Sequence, residues 1–377
     1  MANQDPLEKL NSMERPHRDF INIMPLQTGS VLTGAARRAL IEFGDGYSVC
    51  DFCTGRLTDI ANPPVNVFVR DILPPFLGCD VATLTYGARD GIFMVFHSVT
   101  KPGDVVVVDK NRHYSTAVAA ERAGLTLVEV PNSGHPEYKI DAEGYKAAIE
   151  EHHPVMALVT YPDGKFGNLL DAARVGEIAT EAGIPLLVNG AYSVGRMPVK
   201  MREMNASFIV GSGHKSMASA GPSGVLGMSA GWAEKVLRVS QINKKKEVEC
   251  LGCTLRGVPL VTLMASFPEV ESRVKQWESQ VAKAQRFSEA MQRLGFEQLG
   301  EKPHRHDLMS FTSDIFYEMS KTVRERGYFL YKELKERGIW GIQPGQTRTL
   351  KISTYAATDA QLDYVVDSLA DIIRKYS

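Results

Sequence analysis

The chain reads as an α/β protein. Its predicted architecture is a mostly parallel central sheet with helices on both faces, plus a smaller α+β region on the C-terminal side. Three observations predict this. Between Cys79 and Met228, short runs rich in Val, Ile and Leu alternate with stretches of helical period. Several of these runs are apolar throughout, as strands covered on both faces are. Beyond Met264 the alternation gives way to long helical patterns with only two strand-like runs.

The first 20 or so residues show no clear period and read as an N-terminal arm over 1–20. A large domain is expected over 21–260 and a small α+β domain over 261–377. Strands are predicted at Val81–Thr85, Val105–Asp109, Thr126–Val130, Val155–Tyr161, Pro185–Asn189, Ser207–Gly211 and Gly224–Met228. The intervening helices are Arg89–Val99, Thr116–Ala123, Ala142–Glu151 and Ala172–Ala182. A long charged helical pattern fills Met264–Gly295. Strands at Leu308–Thr312 and Leu350–Thr354 and helices at Gly327–Arg337 and Asp359–Tyr376 follow.

At 377 residues the chain can bury a large core. Hydrophobic content of 44% and charged content of 23% are those of an ordinary globular protein. The net charge of −1 does not announce a nucleic-acid binder. The opening MANQDPLEKL lacks a signal-peptide pattern, and no apolar run is long enough to span a membrane, so the expected location is cytoplasmic. Five cysteines in such a chain point to thiols, metal ligands or redox groups rather than structural disulfides.

Ligands in sheets of this kind sit at the carboxyl ends of strands, and the candidate residues fall there. GSGHKSMASAGPSG follows the strand Ser207–Gly211. Seen alone, Lys215 is an ordinary surface lysine. At a strand exit among small residues it is where pyridoxal-phosphate enzymes hold their cofactor as a Schiff base, since small residues let the backbone approach the cofactor phosphate. YGARDG opens a helix whose free N–H groups suit a phosphate, with Arg89 able to add a charge-assisted bond. His113, with Tyr114 beside it, is placed to stack on an aromatic ring. Asp163 and Asn168 are candidates to reach ring substituents, although a Gly-rich turn explains them as well. Asn189 stands one strand before Lys215, where an aspartate usually pairs with the pyridine nitrogen. An amide cannot hold that nitrogen protonated, so the electron sink should be weaker. That suits β-elimination better than transamination.

Cys50 and Cys53 form CDFC, and Cys250 and Cys253 form CLGC. Two C-x-x-C pairs raise the case for metal or redox chemistry, although they are too far apart for a local zinc ribbon. Cys79, in FLGCD, reads as a buried hydrophobe.

GDGYSVCDFC, YGARDG, HYSTAVAAERAGL, NGAYSVGRMPV, VGSGHKSMA, LGCTLRG and TLMASFP together resemble the Sep-tRNA:Cys-tRNA synthase family, over nearly the whole chain. That family converts O-phosphoseryl-tRNA to cysteinyl-tRNA, chiefly in archaea. The resemblance implies a homodimeric transferase of pyridoxal-phosphate fold type I with Lys215 as the Schiff-base lysine. It implies Ala88, Arg89, Asn189, Ser212, Gly213 and His214 as cofactor contacts, to which the strand-end reading adds His113 and Asn168. Arg89, His113 and Tyr114 would line the substrate side. Cys50, Cys53 and Cys253 would carry persulfide sulfur or ligate an iron–sulfur cluster. Cys250 lies outside the family motif and reads as packing, with a fourth-ligand role as the alternative. Lys215 would remove the Cα proton, phosphate would leave Cβ, and sulfur would add in its place. The implied partners are tRNA(Cys) charged with O-phosphoserine and the phosphoseryl-tRNA synthetase, with no membrane.

Two departures stand out. Gln27-Thr28-Gly29-Ser30 replaces an expected Gln-Arg-Gly-Gly, and TYAATDAQ replaces a Tyr-Gly pattern. Candidate RNA contacts are Arg15, His17 and Arg18, then Lys244, Lys245 and Lys246, then Lys302, His304, Arg305 and His306. A cysteine desulfurase-like enzyme is the alternative, but it would need a catalytic cysteine toward the C-terminus, and none follows Cys253. A non-catalytic tRNA or iron–sulfur scaffold is the other.

Overall fold

The computed structural model describes residues 10, 13, 19–24, 31–45 and 63–376. A short strand β1 (Ile21–Asn22) precedes the seven strands of the principal sheet. These are β2 (Val81–Thr85), β3 (Val105–Asp109), β4 (Thr126–Val130), β5 (Met156–Thr160), β6 (Leu186–Asn189), β7 (Phe208–Ser212) and β8 (Gly224–Met228). They lie in the order β2-β8-β7-β6-β5-β3-β4. The pairs β3/β4, β3/β5, β5/β6 and β6/β7 are parallel, and β8 runs antiparallel to both of its neighbours. The sheet is therefore mostly parallel, as the apolar runs required.

Alternation along each strand feeds two cores. Val107, Val159, Val188 and Ile209 face one side, while Val106, Val108, Leu158, Leu187 and Phe208 face the other. Each such fully buried side chain contributes about 1.5–3 kcal/mol. Helices α1 (Gly34–Glu42), α2 (Ala88–Val99), α3 (Tyr114–Ala123), α4 (Ala142–His152) and α5 (Ala172–Glu181) lie in the first part of the chain. Local chemistry fixes their starts. Asp141 caps α4 by accepting from Glu143 N, and Asp171 caps α5 by accepting from Arg174 N.

The long pattern at 264–295 is two helices, α6 (Val258–Val274) and α7 (Trp277–Arg293). Pro268 sits inside α6, and the break falls later, at Lys275–Gln276. There the chain changes core. Leu263, Phe267 and Val270 pack under the principal sheet, whereas Ala284, Phe287 and Met291 pack in a separate core. That second core is built on β9 (Glu297–Leu299), β10 (Leu308–Thr312), β11 (Ile339–Trp340) and β12 (Thr349–Ser353), with helices α8 (Ile315–Thr322), α9 (Phe329–Glu336) and α10 (Asp359–Tyr376). Strands β12-β10-β9 form an antiparallel sheet, and β1 pairs in parallel with β11. The second core thus includes Ile23 from near the N-terminus, while α6 packs with the first. Among the described residues, no helix is long and apolar enough to cross a membrane.

Candidate active site

A cavity of about 610 Å³ opens at the carboxyl ends of the parallel strands. Its floor follows from register. Thr160 ends β5, pairs with Asn189 at the end of β6, and both line the cavity. Ser212 ends β7 and also lines it. The next residues form one helical turn, Gly213–Ser216, which carries Lys215 to the cavity wall.

Close backbone approach shapes this end of the site. Gly87 adopts φ 126°, and a Cβ there would come 3.1 Å from His214 Cε1. A Cβ on Gly224 would come 2.6 Å from both the Gly211 carbonyl oxygen and Gly87 Cα. Only glycine fits these positions. Immediately after Gly87, α2 begins, so its N-terminal N–H groups and Arg89 face the cavity. The Ala88 N–H donates to Ser212 Oγ at 3.3 Å, which ties the helix start to the end of β7.

Lys215 is half-buried, with Nζ 4.2 Å from the centroid of the Tyr192 ring. Burial, with the charges of Lys351, Arg196 and Arg89, brings its amine down to about 7. Burial and the same Lys215, Lys351 and Arg89 charges lower His113 to about 4, so its imidazole is neutral near pH 7. His113 caps α3. Its Nδ1 accepts from Ser115 N at 3.3 Å and lies 2.7 Å from Ser115 Oγ, which leaves Nε2 to carry the ring proton. Tyr114 is 64% exposed at the rim, 4.2 Å from His113 between ring centroids. His214 Nδ1 lies 3.1 Å from the Ser223 carbonyl oxygen and 3.3 Å from the Ser223 backbone N, and burial lowers the proton affinity of the ring. Asn189 Oδ1 accepts from Ala191 N at 3.3 Å, so its amide NH₂ is what it can offer the cavity.

Of the expected set, Ala88, Arg89, His113, Tyr114, Asn189, Ser212, His214 and Lys215 line this cavity, and Gly213 lies between Ser212 and His214 behind it. Asn168 does not. Its Nδ2 donates to the Glu137 and Tyr138 carbonyls at 2.9 and 3.1 Å, and its Oδ1 accepts from Glu301 N at 2.7 Å. With both ends of the amide engaged, it stands in the wall of a neighbouring cavity of about 150 Å³. Asp163 is buried there too, accepting from Phe166 N and Lys165 N at 2.7 and 2.8 Å. Both residues hold the loop after β5 rather than reaching a ligand in the larger cavity.

Four residues not singled out from sequence complete the surroundings. Arg196, fully buried, donates from Nη1 to both Asp307 carboxylate oxygens at 2.9 and 3.1 Å and to Ser353 Oγ at 3.3 Å. Burial alone would push the Asp307 carboxyl up, but Arg196 and His306 hold it well below the ordinary carboxylate range. Tyr192 and Lys351 complete the group. Strand alternation was the available signal for Lys351. Leu350 and Ile352 enter the second core, so Lys351 and Ser353 share the opposite face. The same burial removes His304 and His306 from the RNA candidates, since they are 2% and 0% exposed.

The cavity thus offers a desolvated amine, a helix N-terminus with an arginine, a neutral imidazole and a primary amide. That donor set fits an aromatic aldehyde bearing a phosphate. Residues 92–374 match the O-phosphoseryl-tRNA(Sec) selenium transferase, SepSecS, family. The protein from Methanosarcina mazei named O-phospho-L-seryl-tRNA:Cys-tRNA synthase is 54% identical, over 98% of this chain and 97% of the relative. The chain belongs to the O-phospho-L-seryl-tRNA:Cys-tRNA synthase family. A solved structure described as a SepCysS–SepCysE N-terminal domain complex is 45% identical with a TM-score of 0.93, covering 99% of this chain and 100% of that one. A cysteine desulfurase from Thermococcus onnurineus NA1 shares the fold, with a TM-score of 0.76 at 17% identity, over 94% of this chain and 95% of that one.

Of the synthase-family cysteines, Cys50 and Cys53 lie outside the described residues, as do Thr28, Arg15, His17 and Arg18. Cys253 is half-buried, with its sulfur 3.8 Å from Lys246 Nζ and 3.6 Å from Arg256 Nη1. The next residue, Thr254, accepts at its carbonyl from the Tyr86 hydroxyl at 3.4 Å, one position before Gly87 at the cavity wall. Cys250 instead packs against the apolar core, and its thiol donates to Glu247 at 3.2 Å. Burial and the Glu247 carboxylate raise that thiol far above the range of a reactive one. Burial pushes Cys79 up to about 11, in keeping with a packed, inert thiol. No cluster of three or more His, Cys, Asp or Glu side chains able to hold a metal occurs among the described residues.

Proposed function

We propose that this protein converts O-phosphoseryl-tRNA(Cys) to cysteinyl-tRNA(Cys), with pyridoxal 5′-phosphate bound in the large cavity on Lys215. The observation that carries this reading is the convergence of Lys215, Arg89 and His113 on one cavity, at the strand ends of a chain about half identical to named synthases. When bound, the cofactor supplies a covalent link to the substrate amine and a sink for the electron pair left at Cα. The N-terminus of α2 and Ala88 would hold its phosphate. Asn189, offering an N–H rather than a carboxylate, would leave the ring nitrogen unprotonated, which favours quick departure of a good leaving group.

This chain's residues then divide the work. Lys215, poised near neutrality by burial, takes the proton from Cα and later returns it. Arg89 neutralises the departing phosphate, and His113 donates its Nε2 hydrogen to the same group. Cys253 would hold the incoming sulfur as an anion between Lys246 and Arg256, with Cys50 and Cys53 as its expected companions. Persulfide carriage at Cys253 fits that cationic setting, whereas an iron–sulfur cluster gains no support from it. Sulfur received already at the persulfide level from a sulfane donor would attack Cβ through its terminal atom. The Cys50 or Cys53 thiol would then cleave the S–S bond, releasing the product thiolate and leaving a disulfide that an external thiol reduces.

The working form is proposed to be a homodimer in the cytoplasm. Supporting this, Tyr86, Tyr114 and Val118, all exposed, line a groove of about 340 Å³ at the rim of the site. Exposed Lys244 and Lys245 are proposed RNA contacts, and the phosphoseryl-tRNA synthetase a protein partner. The proposed organisation keeps a large cofactor-binding domain and a small C-terminal domain. Incubating the protein with phosphoseryl-tRNA, sulfide and pyridoxal phosphate tests the function. Cysteinyl-tRNA is expected from the wild type and none from Lys215→Ala.

A further inference from the structure

We propose that Lys351 is a positioning residue acting on Lys215. Its ammonium, carried across from the second sheet to the Tyr192 ring, disfavours a charge on the Lys215 amine. The inference rests on the reading of Lys215 as the reactive amine. Lys351 Nζ lies 5.7 Å from the Tyr192 ring centroid and Lys215 Nζ 4.2 Å from it. The two nitrogens are therefore at most about 10 Å apart, in a half-buried setting where salt screens little.

The placement is built into the fold. Ser353, two residues along β12 on the same face, bonds both members of the buried Arg196–Asp307 pair. Arg196 belongs to the segment after β6 that also carries Tyr192. The pair therefore fixes β12 against that segment, and alternation then sends Lys351 to the ring. Lys351 Nζ donates to the Gly164 carbonyl, a direct partner that carries no charge of its own.

The other groups facing Lys215 do less. Arg196 is neutralised by Asp307, His113 is uncharged near pH 7, and Arg89 stands at the start of α2 where anions are expected. Tyr192 is un-ionised, its hydroxyl pushed up to about 12 by burial. Burial lowers the proton affinity of Lys351 itself, and the Asp163 carboxyl works against that loss and helps to keep the ammonium; burial in turn raises the proton affinity of Asp163. A lysine beside a second cation in a partly desolvated site is a recognised way to obtain a neutral amine.

The test uses the full chain stripped of cofactor with hydroxylamine. Reductive methylation by formaldehyde and cyanoborohydride is followed at Lys215 by peptide mass spectrometry from pH 5.5 to 9.5. The wild-type profile should turn near pH 7. Lys351→Met should move it up by about one pH unit, which is about fivefold slower labelling at pH 7. Lys351→Arg should keep the wild-type midpoint. Circular dichroism checks folding, with Lys351→Gln substituting if the Met variant does not fold. Superimposable wild-type and Lys351→Met profiles would overturn the proposal, as would an Arg variant shifted like the Met variant. Failure of Lys215 to trap pyridoxal phosphate with borohydride would instead count against the reading of the site, and the cofactor-free profile separates the two.

Discussion

Replacing Lys215 by Met should make the cofactor-free protein more stable, and the gain should depend on pH. The amine titrates near 7 in the fold, against an ordinary value of 10.5. Between those limits the unfolded chain binds the proton more readily than the folded one. The proton release needed to fold therefore becomes easier as pH rises, and wild-type stability climbs from pH 7 to about 10.5. Below pH 7 the full cost of burying the ammonium is present. A displacement of this size corresponds to about 4–5 kcal/mol. Lys215 is half-buried on the wall of an open cavity, so solvent screening reduces this to about 2–4 kcal/mol. Met keeps most of the aliphatic stem and removes the charge. Thermal unfolding of both stripped proteins, followed by tryptophan fluorescence from pH 6 to 10, checks it. The Met variant should melt well above wild type at pH 6–7 and converge on it near pH 10. A constant offset across that range, or a wild type more stable at pH 6, would refute the claim that Lys215 is held uncharged by its surroundings.

Asp307→Asn should cost about 3–5 kcal/mol, because it leaves the Arg196 charge buried without its carboxylate, and urea unfolding would show the lowered midpoint. Asn189→Asp should raise the protonated fraction of the bound cofactor's ring nitrogen and increase abortive pyridoxamine formation; an unchanged pyridoxamine yield would contradict the amide's assigned role. Cys253→Ala should abolish cysteinyl-tRNA formation at limiting sulfide while phosphate release from phosphoseryl-tRNA persists. Cys79→Ala should leave both reactions intact.

Much of this was legible in sequence for a physical reason. Apart from the edge strand β4, the principal strands are largely apolar runs buried on both faces, and such runs stand out against amphipathic helices. The glycines before α2 and the small residues around Lys215 also advertise close backbone approach. What stayed hidden depends on which parts of the chain meet. Nothing local marks the break between α6 and α7, because it follows from a change of core. The run Lys302–His306 looks like a basic loop, yet its two histidines are consumed by the Leu308 carbonyl and amide and by Asp307. Asn168 sits in a Gly-rich turn that resembles a ligand loop, but its amide closes the turn on Glu137, Tyr138 and Glu301. Lys351 could be placed on a strand face, though not against Tyr192, until both cores were positioned.

The central claim is that Lys215 is the amine that holds the cofactor. The most direct measurement is borohydride reduction of the protein reconstituted with pyridoxal phosphate, followed by peptide mapping. One pyridoxyl group is expected on the peptide containing Lys215, lost in Lys215→Ala together with cysteinyl-tRNA formation. Labelling centred on another lysine, Lys351 above all, or a Lys215→Ala variant that still makes cysteinyl-tRNA, would contradict it.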